Sequence, residues 1–110
     1  RTKDVIKTGG EWLSSLQLED LISRHPGVAE VAVIATRDDH WGERPHALVV
    51  LRPEYRDRMS AADIRDTIAT AVTAGSLPKY AVPERITFVD ALERTSVGKI
   101  NKRRLREQFS

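Results

Sequence analysis

Runs of apolar residues that suit β-strands occur at five places in the chain. The clearest spans residues 28–36 and is continuously apolar from Val31 to Ala35, as expected of a buried strand. Shorter runs predict four more strands, at residues 4–7, 11–14, 46–52 and 85–89. Because paired glycines permit the positive φ of a tight turn, Gly9 and Gly10 should join the first two runs as a hairpin.

Three further segments repeat their apolar residues every three or four positions, which predicts amphipathic helices. They begin near residues 16, 61 and 102, and their inward side chains should be Leu18, Leu21, Ile22, Ile64, Ile68, Val72, Leu105 and Phe109. Capping residues precede each helix: Ser14 or Ser15, Ser60 with Asp63, and Asn101. The order β-β-α-β-β-α-β-α predicts an α+β domain, in which a small central β-sheet is flanked by helices and has an N-terminal β-hairpin.

Composition narrows the class of protein. The 110 residues fit one domain, residues 1–110. A net charge of only +2 gives no global field that would indicate a nucleic acid or a membrane as partner. The absence of cysteine fits a reducing compartment, and we expect a cytoplasmic protein. No apolar run approaches the roughly 20 residues of a transmembrane segment.

The histidines do not indicate a metal site. His25, His40 and His46 lack metal-like spacing, and there is no cysteine to join them. Surface or loop positions are the expected interpretation. No nucleophile with an ordered base has a signature in the sequence either.

Residues 95–99, TSVGK, are the first segment with candidate chemistry. They lack the first glycine of a P-loop, and Ile100 stands where that motif requires Ser or Thr. What remains is Lys99 on a loop of small residues, where a lysine can present a compact positive charge to a phosphate. An ordinary surface lysine is the alternative. Residues 94–106 contain six basic side chains and no acidic one, which indicates either a phosphate- or nucleic-acid-facing patch or a solvated terminal helix.

Both ends of the chain resemble motifs of one family, the C-terminal domain of the acyl-CoA synthetase, adenylation-domain and luciferase superfamily. The first motif is matched by Arg1, Lys3, Asp4, Ile6, Lys7, Gly9 and Gly10, with Glu19 following. The last motif is matched by Arg94, Thr95, Gly98, Lys99, Ile100, Arg103, Arg104 and Leu105. The resemblance covers essentially the whole chain. The GGEW and ERP segments look most like medium- and long-chain fatty-acyl-CoA ligases.

The resemblance implies two half-reactions with ATP and CoA as substrates. A fatty acid is first adenylated, and CoA then displaces AMP; the domain rotates between the two steps. Lys99 matches the adenylation lysine. Thr8 to Trp12, and thus Gly9, Gly10, Glu11 and Trp12, match a loop beside the tunnel for the pantetheine arm of CoA.

The resemblance also implies roles at the start of the chain. Lys3 lies at the hinge position, Arg1 matches an arginine near the nucleotide, and Lys7 matches a polar position facing the active site. The nucleotide pocket and the Mg²⁺ site belong to the family's N-terminal adenylation domain. We therefore expect that domain as partner, and no catalysis by residues 1–110 alone.

Three alternatives stay open. Trp12 either lines the CoA tunnel, covers the acyl site or packs in the core. The acyl acceptor is either CoA or a carrier protein, the latter for an adenylation domain of the same superfamily. A basic nucleic-acid-binding module is the alternative from a different class, although aromatic residues do not interleave with the basic ones.

Overall fold

The computed structural model describes residues 5–8, 10–40, 42–75, 81–83 and 85–109, with Glu11 by its backbone only. The predictions for Arg1, Lys3 and Gly9 lie outside the described residues. The elements are β1 (Val5–Thr8), β2 (Glu11–Ser14), α1 (Ser15–Ser23), β3 (Val28–Asp38), β4 (Gly42–Leu51), a short 3-10 helix (Pro53–Tyr55), α2 (Ala61–Thr73), β5 (Arg85–Phe88) and α3 (Lys102–Phe109). This order confirms the predicted α+β succession.

Strand β4 lies at the centre of the sheet. On one side it pairs antiparallel with β3 from Val28↔Leu51 to Asp38↔Gly42. On its other side β5 runs parallel to it, and β1 joins at the pair Thr8↔Gly42. Strand β2 completes the hairpin with β1. The hairpin therefore extends the sheet beyond the start of β4.

The loop predicted between the two long strands is shorter than expected. Residues 42–45 had loop-like composition, but they form the start of β4 and pair with β3 down to Gly42. Arg44 and Pro45 are buried there. Pairing with a long neighbouring strand outweighs the weak local preference of these residues for a loop.

The sheet separates two apolar cores. Val31 and Val33 point to α1 and α2, whereas Ala32 and Ile34 point to α3, because successive side chains of a strand face opposite sides. This burial on both faces accounts for the continuous apolar run in β3. The larger core contains Ile6, Leu13, Leu18, Ile22, Ile64 and Ile68, and the smaller core contains Leu48, Val50, Leu92 and Leu105.

Helix capping follows the sequence prediction. Ser14 accepts a hydrogen bond from the Gln17 amide at 3.2 Å. Ser60 and Asp63 form a capping box, and the Asn101 side chain accepts from the Arg104 amide at 3.2 Å. Within the described ranges, no helix is long and apolar enough to cross a membrane.

Candidate functional site

Lys99 lies on a short, closed loop, residues 94–100, which we call the lysine loop. Arg94 and Ile100 form an isolated antiparallel bridge at its base. The Thr95 amide donates to the Lys99 carbonyl at 2.7 Å, and the Gly98 amide donates to the Thr95 carbonyl at 3.0 Å. Gly98 has a φ of +84°, which only glycine adopts without strain. The loop therefore has a defined backbone and carries Lys99 into solvent.

The side chain of Arg94 fastens the lysine loop to the sheet. Its Nη1 donates to the Gly98 carbonyl at 2.9 Å, and its Nη2 pairs with the Glu30 carboxylate on β3. On the other side of the base, Ile100 packs against the smaller core. The loop is thus anchored by one charged and one apolar contact.

The hairpin tip, residues 8–12, is the second candidate region. Gly10 has a φ of +85°, and an added Cβ there would meet nothing within 4 Å. The amide of Lys7 donates to the Glu43 carboxylate at 2.9 Å, which ties the hairpin to the start of β4. The backbone of Gly10 is therefore open to close approach from outside the domain.

Trp12 does not pack in the core. Its neighbour Leu13 is buried, whereas Trp12 is 60% exposed. The Lys7 ammonium lies 5.5 Å from the centre of the Trp12 ring, in a cation–π contact between cross-strand partners. The core-packing alternative is therefore wrong, and an apolar ring stands on the surface beside the hairpin tip.

Arg44 links the start of β4 to the hairpin, although in the sequence it stood out only as part of the ERP segment. It is buried, and its guanidinium donates to the Val82 carbonyl at 2.9 Å and to the Thr8 hydroxyl at 3.5 Å. An arginine inside an apolar strand was the signal that could have revealed this link. It joins β1, β4 and residues 81–83.

The structure does not bring Lys99 together with the hairpin tip. Glu30 holds the lysine loop, whereas Glu43, which holds the hairpin, pairs with Arg37 seven residues further along β3. At about 3.3 Å per residue, the two anchors lie roughly 23 Å apart along the sheet. The two candidate regions are therefore tied to opposite ends of the β3–β4 ladder.

Comparison with known proteins identifies the family. Residues 17–99 match the family described as AMP-binding enzyme C-terminal domain. The chain belongs to this family. It is 41% identical over 99% of its length to a 3-methylmercaptopropionyl-CoA ligase of Ruegeria lacuscaerulensis, and 41% identical over 99% of its length to a long-chain-fatty-acid–CoA ligase of Thermus thermophilus.

Solved structures of acyl-CoA synthetases contain a domain with the same fold. The fatty acyl CoA synthetase of Mycobacterium tuberculosis superposes with a TM-score of 0.85 at 37% identity over 97% of this chain. The chain spans 19% of the length of both ligases and 20% of the synthetase. The expected resemblance to C-terminal domains of AMP-forming acyl-CoA ligases is confirmed, and so is the α+β fold.

The basic segment, residues 94–106, is partly neutralised by acidic residues from outside it. Lys102 pairs with Glu19 of α1 at 2.7 Å, and Arg104 pairs with Glu93 at 3.3 Å. Glu19 also accepts a hydrogen bond from the Val33 amide of β3 at 2.8 Å. The helix that follows Lys99 is thereby fixed to both α1 and the sheet, a link that the sequence did not reveal.

His46 is buried, so the expected surface or loop position is wrong for it. Its Nε2 lies 2.8 Å from the Thr87 hydroxyl, and its ring meets Phe109 edge-on at 6.1 Å. Burial, and then the positive charge of Arg85, lower the pKa of His46 below its ordinary value of 6.5. The ring is therefore neutral near pH 7.

Among the residues that the structure describes, no three His, Asp or Glu side chains gather as a metal site would require.

Proposed function

We propose that this chain acts as the mobile C-terminal domain of an ATP-dependent, AMP-forming fatty-acyl-CoA ligase. The single observation that carries the proposal is the placement of two exposed residues of the family motifs, Gly10 and Lys99, on loops that are tied to opposite ends of the β3–β4 ladder. The chain spans about a fifth of its relatives' length. The pockets for ATP, Mg²⁺ and the fatty acid then belong to an N-terminal adenylation domain.

Lys99 serves the first half-reaction. The carboxylate of the acid attacks the α-phosphorus of ATP, an oxygen–phosphorus bond forms, and pyrophosphate leaves. Negative charge builds on the phosphoryl oxygens during attack, and an ammonium group placed there stabilises the transition state more than the ground state. Lys99 acts as a point charge and transfers no proton, so its exposed position on a defined loop is sufficient.

The hairpin tip serves the second half-reaction. The thiol of CoA attacks the acyl carbon of the adenylate and AMP leaves. The open backbone at Gly10 admits the thin pantetheine arm. The exposed ring of Trp12, with Lys7 against its face, forms an apolar wall beside this path. Gly9 and Glu11 flank Gly10 in the sequence, and we propose that they belong to the same binding loop.

The separation of the two regions supports a rotation between the steps. Ends of a sheet that lie roughly 23 Å apart do not reach one reaction centre in a single orientation. The domain therefore presents the lysine loop first and the hairpin tip second. Such a movement as a rigid body requires a hinge, and Lys3 remains our proposal for it, with Arg1 near the nucleotide.

The proposal also specifies the carboxylic acid that is activated and the group that accepts the acyl chain. Relatives named for a long-chain fatty acid and for 3-methylmercaptopropionate match equally well; the GGEW and ERP segments favour the fatty acid. The neutralised basic helix gives no support to a nucleic-acid-binding module. We propose CoA rather than a carrier protein as acceptor, and a cytoplasmic location.

The test is to separate the half-reactions in the full-length enzyme that carries Lys99→Ala. Loss of one well-placed electrostatic stabiliser should slow adenylation by about 10²–10³-fold. Thioester formation from synthetic acyl-adenylate and CoA should match that of the wild type. The 110-residue chain alone gives the baseline, since we expect it to show no fatty-acid-dependent pyrophosphate exchange.

Two results would contradict the proposal. An equal loss in both half-reactions would show that Lys99 is not specific to adenylation. Unchanged adenylation would make Lys99 an ordinary surface lysine.

A further inference from the structure

One side chain controls the peptide unit that leads into Lys99. The Gly98 carbonyl, which accepts from Arg94 Nη1 at 2.9 Å, belongs to the peptide bond between Gly98 and Lys99. Its orientation sets the direction in which the Cα–Cβ bond of Lys99 leaves the loop. Because glycine permits a wide range of φ and ψ, this bond removes freedom that the Gly98 backbone would otherwise have.

The orientation of Arg94 is itself fixed from the sheet. Its second terminal nitrogen pairs with Glu30, and Glu30 lies in the long β3–β4 ladder opposite Val50. A planar guanidinium can make both contacts at once because its donors diverge at fixed angles. A lysine ammonium at this position could satisfy either partner but has no fork to bridge them.

We propose that Arg94, oriented by Glu30, is a positioning residue that aims Lys99 at the phosphoryl group during adenylation. This inference rests on the proposed function of Lys99. Displacing a catalytic group by about 1 Å can cost on the order of 10²-fold in rate. Without Arg94 the lysine loop keeps only its apolar anchor at Ile100, which leaves the Gly98 carbonyl free to turn and such a displacement open.

The pair should matter for rate and little for stability. The Arg94 and Glu30 side chains are 47% and 33% exposed, and ion pairs at such exposure contribute little to folding. Arg24 and Asp20 form a matched pair on α1 at 2.7 Å that is also exposed. It has the same chemistry but does not touch the lysine loop, and it therefore serves as control.

The experiment measures both half-reactions in the full-length enzyme for Arg94→Ala, Arg94→Lys and Glu30→Gln. Adenylation should fall by about 10-fold for Arg94→Ala. It should fall by less for Arg94→Lys, which can donate to one of the two partners, and for Glu30→Gln, whose amide oxygen still accepts from Arg94 but carries no charge. Thioester formation from supplied adenylate should be unchanged. Arg24→Ala and Asp20→Asn should change neither step by more than about twofold.

A double variant decides whether Arg94 acts through Lys99. Arg94→Ala combined with Lys99→Ala should adenylate no more slowly than Lys99→Ala alone, since there is then no ammonium to aim. A further 10-fold loss in the double variant, or an equal loss of both half-reactions in Arg94→Ala, would overturn the inference. A normal adenylation rate in Arg94→Ala, together with a strongly reduced rate in Lys99→Ala, would also overturn the inference. If Lys99→Ala itself adenylates normally, the proposed function fails, and the inference fails with it.

Discussion

The hairpin tip and the lysine loop are built alike and fastened differently. Each turns at a glycine with positive φ, +85° at Gly10 and +84° at Gly98, and neither glycine has a neighbour within 4 Å of an added Cβ. Each is held by a glutamate of a long strand. Glu43 accepts from a main-chain amide, that of Lys7, whereas Glu30 pairs with the Arg94 side chain.

This difference in fastening has a consequence for function. The Lys7–Glu43 bond survives any substitution of Lys7 except proline, because every other residue carries the same main-chain donor, so it depends on the Glu43 side chain alone. A bond through Arg94 is lost with that side chain. Beyond its strand pairing, the hairpin therefore depends on one side chain, Glu43, whereas the lysine loop depends on two polar side chains, Arg94 and Glu30, beside its apolar anchor Ile100.

The largest effect should come from giving both loops the same new side chain. Gly10→Leu should slow thioester formation, and Gly98→Leu should slow adenylation, each by up to about 10²-fold through displaced reacting groups. An added Cβ meets nothing within 4 Å at either glycine, so we expect the leucine to act mainly on whatever docks against the loop. Single-turnover rates of each half-reaction in the full-length enzyme provide the measurement.

Gly75→Leu is the matched control for backbone strain. Gly75 follows α2 with a φ of +85° and also has no neighbour within 4 Å. Each of the three variants should lose about 1–2 kcal/mol of stability to strain, but Gly75→Leu should leave both half-reactions near wild type. Parallel losses of both steps in Gly10→Leu and Gly98→Leu would remove the functional distinction between the loops.

A smaller effect is expected below the hairpin, at Arg44. Arg44→Met removes the donors to the Val82 carbonyl and the Thr8 hydroxyl while largely keeping the volume of the side chain. The Val82 carbonyl is partly buried, so the loss of its donor should cost toward the lower end of the about 1–3 kcal/mol found for buried groups. Urea unfolding of the 110-residue chain should show a loss of that size, and thioester formation should suffer more than adenylation. The reverse order would show that Arg44 does not act on the hairpin side.

The smallest effect concerns His46, which packs beside α3. Its pKa is lowered in the folded chain, so the unfolded chain binds the proton more tightly. The contribution to stability is complete above the unfolded pKa of about 6.5 and is lost as pH falls from there to the folded pKa. One proton gives a slope of at most about 1.4 kcal/mol per pH unit. Urea unfolding of the 110-residue chain at pH 7.5, 6.5 and 5.5 should show this decline.

The control for His46 is His46→Gln, which retains a group able to bond Thr87 and does not titrate. The difference in unfolding free energy between this variant and the wild type should change across the pH range, since the carboxylates common to both cancel. Hydrogen exchange should show α3 losing protection before the hairpin. A constant difference would mean that His46 does not titrate on unfolding in this range.

The sequence by itself determined the order of the helices and strands, the residues that cap the helices, and the family motifs at the two ends of the chain. Periodicity and capping are local properties, read from residues within one or two turns of each other, which is why Ser60 and Asn101 were assigned correctly and the first cap was narrowed to Ser14 or Ser15, of which the structure has Ser14. Lys99 and Gly10 were found because the family motifs are themselves contiguous. Their roles stay proposals.

Only the tertiary structure decided which residues support those motifs. Glu30 and Arg94 are 64 residues apart, and Lys7 and Glu43 are 36 apart; no local pattern predicts such pairs. The start of β4 at Gly42 and the burial of His46 depended likewise on strand pairing and on α3. The register of strand pairing and the packing of distant segments depend on the whole chain. They set the distance between the hairpin tip and the lysine loop, which no local stretch of sequence could specify.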